Sequence, residues 1–316
     1  MKNIAILCSG GDASGMNPAL KHFVEYAIKN NLTPYFIYDG YEGLIDGDIQ
    51  KATYHHVAGI INKGGTIIRS SRSKRFLEKK YREIAYNHLK KHNIDKLIVL
   101  GGDGSMRGLD IFAKEFDIKC SAIPATIDND INYTEYTLGV DTALNIIKGA
   151  IDAIRDTASS FQRAFVIETM GRNCGYLALI THLTSGSEMC LIPEKSYNLD
   201  DFKENFQQQK QNGRKYFIAI VSEGIAQDPQ EIANWFEKNI EMKARVTILG
   251  HIQRGGNPTV YDRLMAHKFV HHSINSLLEN QSGNVVCFTK NGFKNIPLAQ
   301  VVQGKKQLDA ELLALM

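Results

Sequence analysis

At residues 101–104 the chain reads GGDG, which sets one carboxylate, Asp103, among Gly101, Gly102 and Gly104. The apolar run KLIVL (96–100) precedes it and the helical-looking SMRGLDIFAKEF follows, so the motif falls where a buried strand hands over to a helix. That pattern suits a magnesium ion carried on a nucleotide phosphate chain. Such an ion takes one or two protein carboxylates, directly or through water, and neighbours without side chains leave space for the phosphates. Ser105 could cap the next helix or donate its hydroxyl to the nucleotide. Read alone, these residues also fit a tight turn whose aspartate caps a helix.

Two further turns carry related chemistry. After NIAILC (3–8) comes CSGGDASGMNPAL, where Gly10, Gly11 and Gly15 let backbone N–H groups approach a ligand and the following helix presents its positive end to a phosphate. A plain tight turn is the alternative there. After CSAIP (120–124) comes PATIDND, in which Asp128 and Asp130 stand two residues apart. In an extended loop both carboxylates would point to one side, beside the Thr126 hydroxyl. One could then accept the proton of an attacking hydroxyl while the other orients it or meets the metal's water shell. In isolation such a pair also serves to brace a loop.

These turns need strands to end on. The runs 3–8, 34–38, 96–100, 120–124, 163–168, 189–193, 216–222 and 245–250 are apolar on both faces, as buried parallel strands are. Between them lie segments of helical period. The clearest is 139–159, where Val140, Leu144, Ile147, Ile151 and Ile154 recur at three- and four-residue steps. The alternation predicts an open, doubly wound α/β protein, and eight strands exceed an average sheet, so two sheets are expected. Ligands of such sheets bind beyond the carboxyl ends of the strands, where the three turns fall.

Composition narrows the class. With 316 residues, 43% hydrophobic and 22% charged, the chain can bury a sizeable core in one large or two medium domains. A net charge of +3 gives no reason to expect a nucleic-acid or membrane-surface protein. Cys8, Cys120, Cys174, Cys190 and Cys287 form no CxxC pair and have no metal-ligand spacing, which suits reduced thiols and the cytosol. No apolar run reaches the roughly 18 residues that span a bilayer.

In order, CSGGDASGMN, GGDGS, PATIDNDI, ETMGRNCGYLAL and LGHIQRGGNPTVYDR resemble the signature segments of the bacterial ATP-dependent 6-phosphofructokinases, over residues 3 to about 280. GGDG by itself is also similar to NAD kinases and lipid kinases, whereas TIDND together with GHIQRGG is specific. The resemblance implies two doubly wound, Rossmann-like lobes with largely parallel sheets: residues 1–139 plus 251–302 binding ATP, and 140–250 plus 303–316 binding the sugar phosphate. It implies phosphoryl transfer from Mg-ATP to the 1-hydroxyl of fructose 6-phosphate, the committed step of glycolysis, in a cytoplasmic homotetramer with no nucleic-acid or membrane partner. By this likeness Asp128 is the general base, supported by Asp130 and Thr126, and Asp103 is the carboxylate associated with Mg2+. Gly11 and Arg72 contact the ATP phosphates, beside Gly102, Gly104 and Ser105. Arg172 holds the sugar phosphate and spreads the charge of the transferring phosphoryl group, a task a planar guanidinium does better than an ammonium. Met170, Gly171 and Glu223 line the sugar, while His251, Arg254, Arg163 and Arg245 grip the 6-phosphate, the last two reaching in from a neighbouring subunit.

Without the resemblance several of these residues read more plainly. Arg163 and Arg245 would be solvated strand flanks, His251 a satisfied histidine and Met170 a gap filler. Likewise RSSRSKRFLEKKYR (69–82) would be a solvated helix face with i,i+4 charge pairs, and Trp235 would be core. A pyrophosphate-dependent enzyme, a kinase of another small hydroxylated molecule and an inactive nucleotide-binding regulator are the competing readings. Asp103, Asp128, Arg172 and His251 together argue against the last.

Departures from the family pattern cluster at the effector positions. Lys21, Arg155, Arg214 and Glu188 match in type, with Glu188 placed to meet the effector's magnesium. Glu25, Tyr54 and Asn212 stand where basic residues are expected, and Gly59 where an acidic one is. Each charge-assisted contact is worth about 1.5–3 kcal/mol, so weak or absent control by ADP and phosphoenolpyruvate is expected. The donor is argued from Gly104 and Ala125, where pyrophosphate-dependent relatives typically carry Asp and Lys. An aspartate at 104 would crowd and repel the α-phosphate region. Gly104→Asp is therefore expected to suppress turnover with ATP, and unchanged ATP kinetics in that variant would remove the argument.

Overall fold

The computed structural model describes residues 2–316. Among them are β1 (Lys2–Ser9), β2 (Leu32–Ile37), β3 (Ile49–Lys51), β4 (Ile94–Gly101), β5 (Lys119–Pro124), β6 (Ala164–Thr169), β7 (Met189–Leu191), β8 (Phe217–Ser222), β9 (Ala244–Ile248), β10 (Asn284–Thr289) and β11 (Gly292–Pro297). The helices are α1 (Met16–Lys29), α2 (Gly40–Asp46), α3 (Lys79–Lys91), α4 (Asp103–Glu115), α5 (Val140–Phe161), α6 (Tyr176–Ser185), α7 (Lys203–Gln211), α8 (Pro229–Asn239), α9 (Val260–Leu278), α10 (Leu298–Val301) and α11 (Ala310–Ala314). The chain divides into two compact units, Met1–Thr142 with Arg254–Lys306 and Ala143–Gln253 with Gln307–Met316.

The first unit is built on a seven-stranded sheet in the order β11-β10-β5-β4-β1-β2-β3. Its centre is parallel: Ile6 pairs with Ile98 and Phe36, and Val99 with Ala122. Both ends are antiparallel, β3 on β2 and β11 on β10. The second unit has four parallel strands in the order β7-β8-β6-β9. The two sheets and their parallel centres agree with the doubly wound architecture expected from the alternation of runs. The structure adds β3, β10 and β11 to the eight runs. β3 is too short and polar to stand out, and the β10–β11 hairpin turns at Lys290–Asn291 with Gly292 following at φ +89°, the left-handed position that glycine suits.

Each unit closes its own core. In the first, Tyr41 and Phe76 stack with ring centroids 4.0 Å apart, against Phe112 and the inner faces of β1, β4 and β5. In the second, Phe206, Phe217 and Phe236 meet edge-on or stacked beneath α8. Trp235, expected in the core, lies half-buried at its rim, because its indole Nε1 donates to Asp200 at 3.0 Å. In α5, Val140, Ile147 and Ile151 are buried as their spacing requires. All five cysteines are buried, and none of them forms a disulfide among the described residues.

One segment departs from its expected form. Residues 69–82 are not a solvated helix: α3 begins only at Lys79, and three of the segment's arginines, Arg69, Arg75 and Arg82, are committed to distant carboxylates. Arg69 pairs with Asp39 at 2.7 Å, Arg75 with Asp46 at 2.8 Å, and the buried Arg82 with Glu115 at 2.6 Å while donating to the Phe76 carbonyl. Partners some 30 residues away are invisible to an i,i+4 reading.

α1 and α9 pack together in the first unit, and His22 and His267 meet there with their Nδ1 atoms 2.8 Å apart. Burial, and then the neighbouring His267, push the His22 pKa down to about 4. An unfolded histidine titrates near ~6.5, so below that pH the unfolded chain binds the extra proton and the folded chain does not. Stability therefore falls as pH drops from about 6.5 towards about 4. The urea midpoint of His22→Asn is expected to fall less over that interval than that of the unaltered chain, and parallel curves would remove His22 as the source.

Candidate active site

The carboxyl ends of β5, β4 and β1, adjacent in the sheet, deliver the three turns singled out in the sequence. After β1, Gly10 takes φ +89° and its N–H donates to the Ser71 carbonyl at 3.1 Å, tying the turn to the 70s loop. Ser70 Oγ donates back to the Gly10 carbonyl at 2.8 Å. Gly11 lets the Arg254 guanidinium approach: a Cβ there would lie 2.2 Å from it and displace the arginine's tip, whose Nη1 donates to the Asp12 carbonyl. Arg254, expected among the sugar-phosphate arginines, thus rests on the glycine turn of its own unit. Ser14 Oγ donates to the Gly255 carbonyl at 2.9 Å, and α1 starts from Gly15 without a side-chain cap. Its first N–H groups are therefore not met by a capping side chain, as an anion seat requires.

After β4, the glycines divide the work. A Cβ on Gly101 would press on Ser105 and on the Ser9 carbonyl at 2.7 Å, so packing alone demands glycine there. Gly104 has nothing within 4 Å of its would-be Cβ and no left-handed backbone, so the folded chain itself does not need it small. Asp103 is the first residue of α4, where a negative charge complements the helix dipole, and its Oδ2 accepts from Arg107 Nε at 2.8 Å. Ser105 does not cap α4. It sits two residues inside the helix, buried, with Oγ donating to Ser9 Oγ at 3.0 Å.

After β5, the loop is not extended. Residues 127–128 turn and Asn129 adopts φ +51°, so the side-to-side alternation expected of a strand does not apply. The buried Asn129 instead turns inward, donating to the Glu135 carbonyl at 3.1 Å and accepting from Thr137 Oγ1, while Asp128 and Asp130 flank it half-exposed. Thr126 Oγ1 accepts from the Asp128 N–H at 3.2 Å. Burial, and next the charge of Asp103, raise the Asp130 pKa, while Lys306 and Lys305 pull it down. The charge of Asp103 thus reaches Asp130 across neighbouring strand ends. Among the described residues no group of three or more His, Cys, Asp or Glu could hold a metal, so a cation here would need a ligand's oxygens and water as well.

Arg72 lies exposed on the 70s loop and makes no ion pair among the described residues, in contrast to Arg69 and Arg75. Gly108, one turn after Gly104, was not singled out by its sequence. A Cβ there would touch Tyr41 and Phe76 at 3.4 Å, so Gly108 lets α4 lie close over that aromatic pair, while Gly104 faces open space. The i,i+4 spacing of the two glycines was the available signal.

In the second unit, the turn after β6 carries Met170, Gly171 and Arg172. Gly171 takes φ +118°, and a Cβ would collide with the Cys174 carbonyl at 2.3 Å. Ser222 Oγ donates to the Gly171 carbonyl at 2.6 Å, and Gly224 packs under the Arg172 carbonyl. The Met170 N–H donates to the buried Gln253 Oε1 at 3.1 Å, a positioning contact that the sequence reading did not assign. Arg172, Glu223 and His251 are exposed, and the Glu223 N–H donates to the Thr169 carbonyl at 2.8 Å. Burial, and then Glu223, raise the pKa of Glu168 on β6. Arg163 lies over the Phe161 ring at 4.9 Å, and Arg245 is exposed on the edge strand β9.

Comparison with known proteins follows the same residues. The Phosphofructokinase family model matches residues 3–277. An ATP-dependent 6-phosphofructokinase of Sulfurimonas denitrificans is 63% identical over 314 residues, 99% of this chain and 98% of that one. One from Thermotoga neapolitana is 43% identical over 312 residues, 99% of this chain and 98% of the relative. The solved phosphofructokinase of Saccharomyces cerevisiae superposes with a TM-score of 0.92 at 31% identity, covering 96% of this chain and 45% of the yeast chain. A likeness of that depth along nearly the whole length leaves one placement: the chain belongs to the phosphofructokinase family.

Proposed function

We propose that the chain transfers the γ-phosphoryl group of Mg-ATP to the 1-hydroxyl of fructose 6-phosphate, giving fructose 1,6-bisphosphate and ADP. The observation that carries this reading is the adjacency of β1, β4 and β5, which sets the glycine turn, Asp103 and Asp128 side by side. The attacking hydroxyl oxygen forms the new P–O bond as the bond to the β-phosphate oxygen breaks. Asp128 takes the hydroxyl proton, and Arg172 offers a planar cation to the charge developing on the equatorial oxygens. Thr126 and Asp130 hold Asp128's loop and its electrostatics.

Gly11, Gly102, Gly104, Ser105 and Arg72 receive the nucleotide, and the first unit is the nucleotide unit. Met170, Gly171 and Glu223 line the sugar in the second. His251, Arg254, Arg163 and Arg245 bind the 6-phosphate, with Arg163 and Arg245 serving a neighbouring copy in a cytoplasmic homotetramer. Magnesium fits the donor set: Asp103 and Asp130 are hard oxygen donors, few in number, which suits an ion that keeps water and phosphate oxygens. When bound, it neutralises phosphate charge. No helix among the described residues is long and apolar enough to cross a membrane.

ATP is favoured over pyrophosphate because the space beside Gly104 is open. The effector positions are occupied within their own units. Lys21 pairs with Glu25 at 2.5 Å, Arg214 with Glu188, and Arg155 donates to the Ser185 carbonyl. Charges already satisfied in this way bind a phosphate effector poorly, which supports the expectation of weak control.

Fructose 1,6-bisphosphate formation should be measured with ATP and with pyrophosphate in parallel, varying the sugar phosphate with and without ADP. A hyperbola with ATP alone, little moved by ADP, is expected. A sigmoid relieved by micromolar ADP would overturn the regulatory reading, and turnover with pyrophosphate instead would overturn the donor. Asp128→Asn is expected to lower kcat at least about 100-fold, the usual scale of acid–base catalysis. Near-normal turnover would remove Asp128 as the base.

A further inference from the structure

Asp262, on the third position of α9, is fully buried, yet its carboxylate accepts four hydrogen bonds. Oδ1 accepts from Tyr136 Oη at 2.5 Å and the Gly139 N–H at 2.6 Å, and Oδ2 from the Thr142 N–H at 2.9 Å and Thr142 Oγ1 at 2.5 Å. Gly139 and Thr142 open α5, so a carboxylate from the first turn of one helix caps the start of another. The relation is reciprocal: Asp141, in the first turn of α5, accepts from Thr259 Oγ1 at 2.5 Å, and Thr259 is the N-cap of α9. Two helix starts, each electropositive, are thus held together by carboxylates of the opposite helix.

The clamp continues into the acid loop. Between its two anchors at Tyr136 and Gly139 lies Thr137, fully buried, whose Oγ1 donates to the Thr126 carbonyl at 2.6 Å and to Asn129 Oδ1 at 3.3 Å. Asn129 is held from its other side by the Glu135 carbonyl, and the Leu138 N–H donates to the Pro124 carbonyl at 2.9 Å. The same segment supports the glycine turn: the would-be Cβ of Gly15 meets Leu138 at 2.9 Å, and that of Gly139 meets Ala13 at 2.6 Å.

We propose that Asp262 is a positioning residue for phosphoryl transfer, setting the placement of Asp128 through Tyr136, Thr137 and Asn129. The inference rests on the function proposed above. An asparagine at 262 keeps the shape but turns an amide donor towards N–H and O–H donors, so at least one anchor of the 134–139 segment must shift. Displacing a reacting group by about an ångström costs up to ~100-fold in rate, and the segment's contacts bear on the acid loop and not on an ion pair to a nucleotide phosphate.

The test compares Asp262→Asn, Tyr136→Phe and Thr137→Val with the unaltered chain, measuring kcat, the KM for each substrate and the melting temperature. Tyr136→Phe and Thr137→Val each remove hydroxyl contacts with little change of shape, so they decide the matter if Asp262→Asn does not fold. Expected is a fall in kcat of about 10-fold in the two hydroxyl variants and up to ~100-fold in Asp262→Asn, with KM for ATP within about twofold. Lower melting temperatures with kcat per folded molecule unchanged in Tyr136→Phe and Thr137→Val would overturn the inference, leaving Asp262 a purely structural cap. An inactive unaltered chain would instead overturn the proposed function.

Discussion

Everything at the site depends on the parallel pairing of β4 with both β1 and β5. Parallel strands start and finish together, so three separate sequence segments end at one rim of the sheet. Antiparallel pairing would send alternate turns to opposite rims and separate the glycine turn from the acids. Such pairing requires cover on both faces, which is why each of the three strands is buried from its third residue onward. The apolar character of these strands and the polar chemistry at their ends are two aspects of one arrangement.

What surrounds the acids is polar and buried, and its cohesion comes from satisfaction rather than from area. Asn129, Thr134, Thr137, Thr142 and Asp262 are all buried, and each has hydrogen-bond partners in the structure. A buried polar group without a partner costs about 1–3 kcal/mol, so such a network tolerates few alternative arrangements. That intolerance fixes a loop of irregular backbone, where Asn129 sits in a left-handed conformation that apolar packing alone would not impose.

The central strands, the helical stripe of α5 and the three turns were legible because they are local: apolar runs, a 3.6-residue period and glycines at strand ends. The less legible features depend on distant partners. Arg69, Arg75 and Arg82 look like parts of a solvated face until Asp39, Asp46 and Glu115 come alongside. Asp128 and Asp130 stand out in the sequence as a pair, but their common partial exposure follows from a turn and a left-handed asparagine rather than from strand alternation. Asp262 was present in YDR, yet nothing local distinguishes a clamp between two helices from an ordinary first-turn acid.

The two antiparallel outer strands of the large sheet bear on solubility. β3 is only three residues long and ends on exposed side chains, Gln50 and Lys51. β11 carries exposed Lys294 and Asn295 and stops at Pro297, which has no N–H to offer. A foreign strand laid against either border would meet charge, brevity or a missing donor, features that blunt sheet borders against adding strands. The longest sheet of the molecule is therefore closed at both borders to runaway addition of strands.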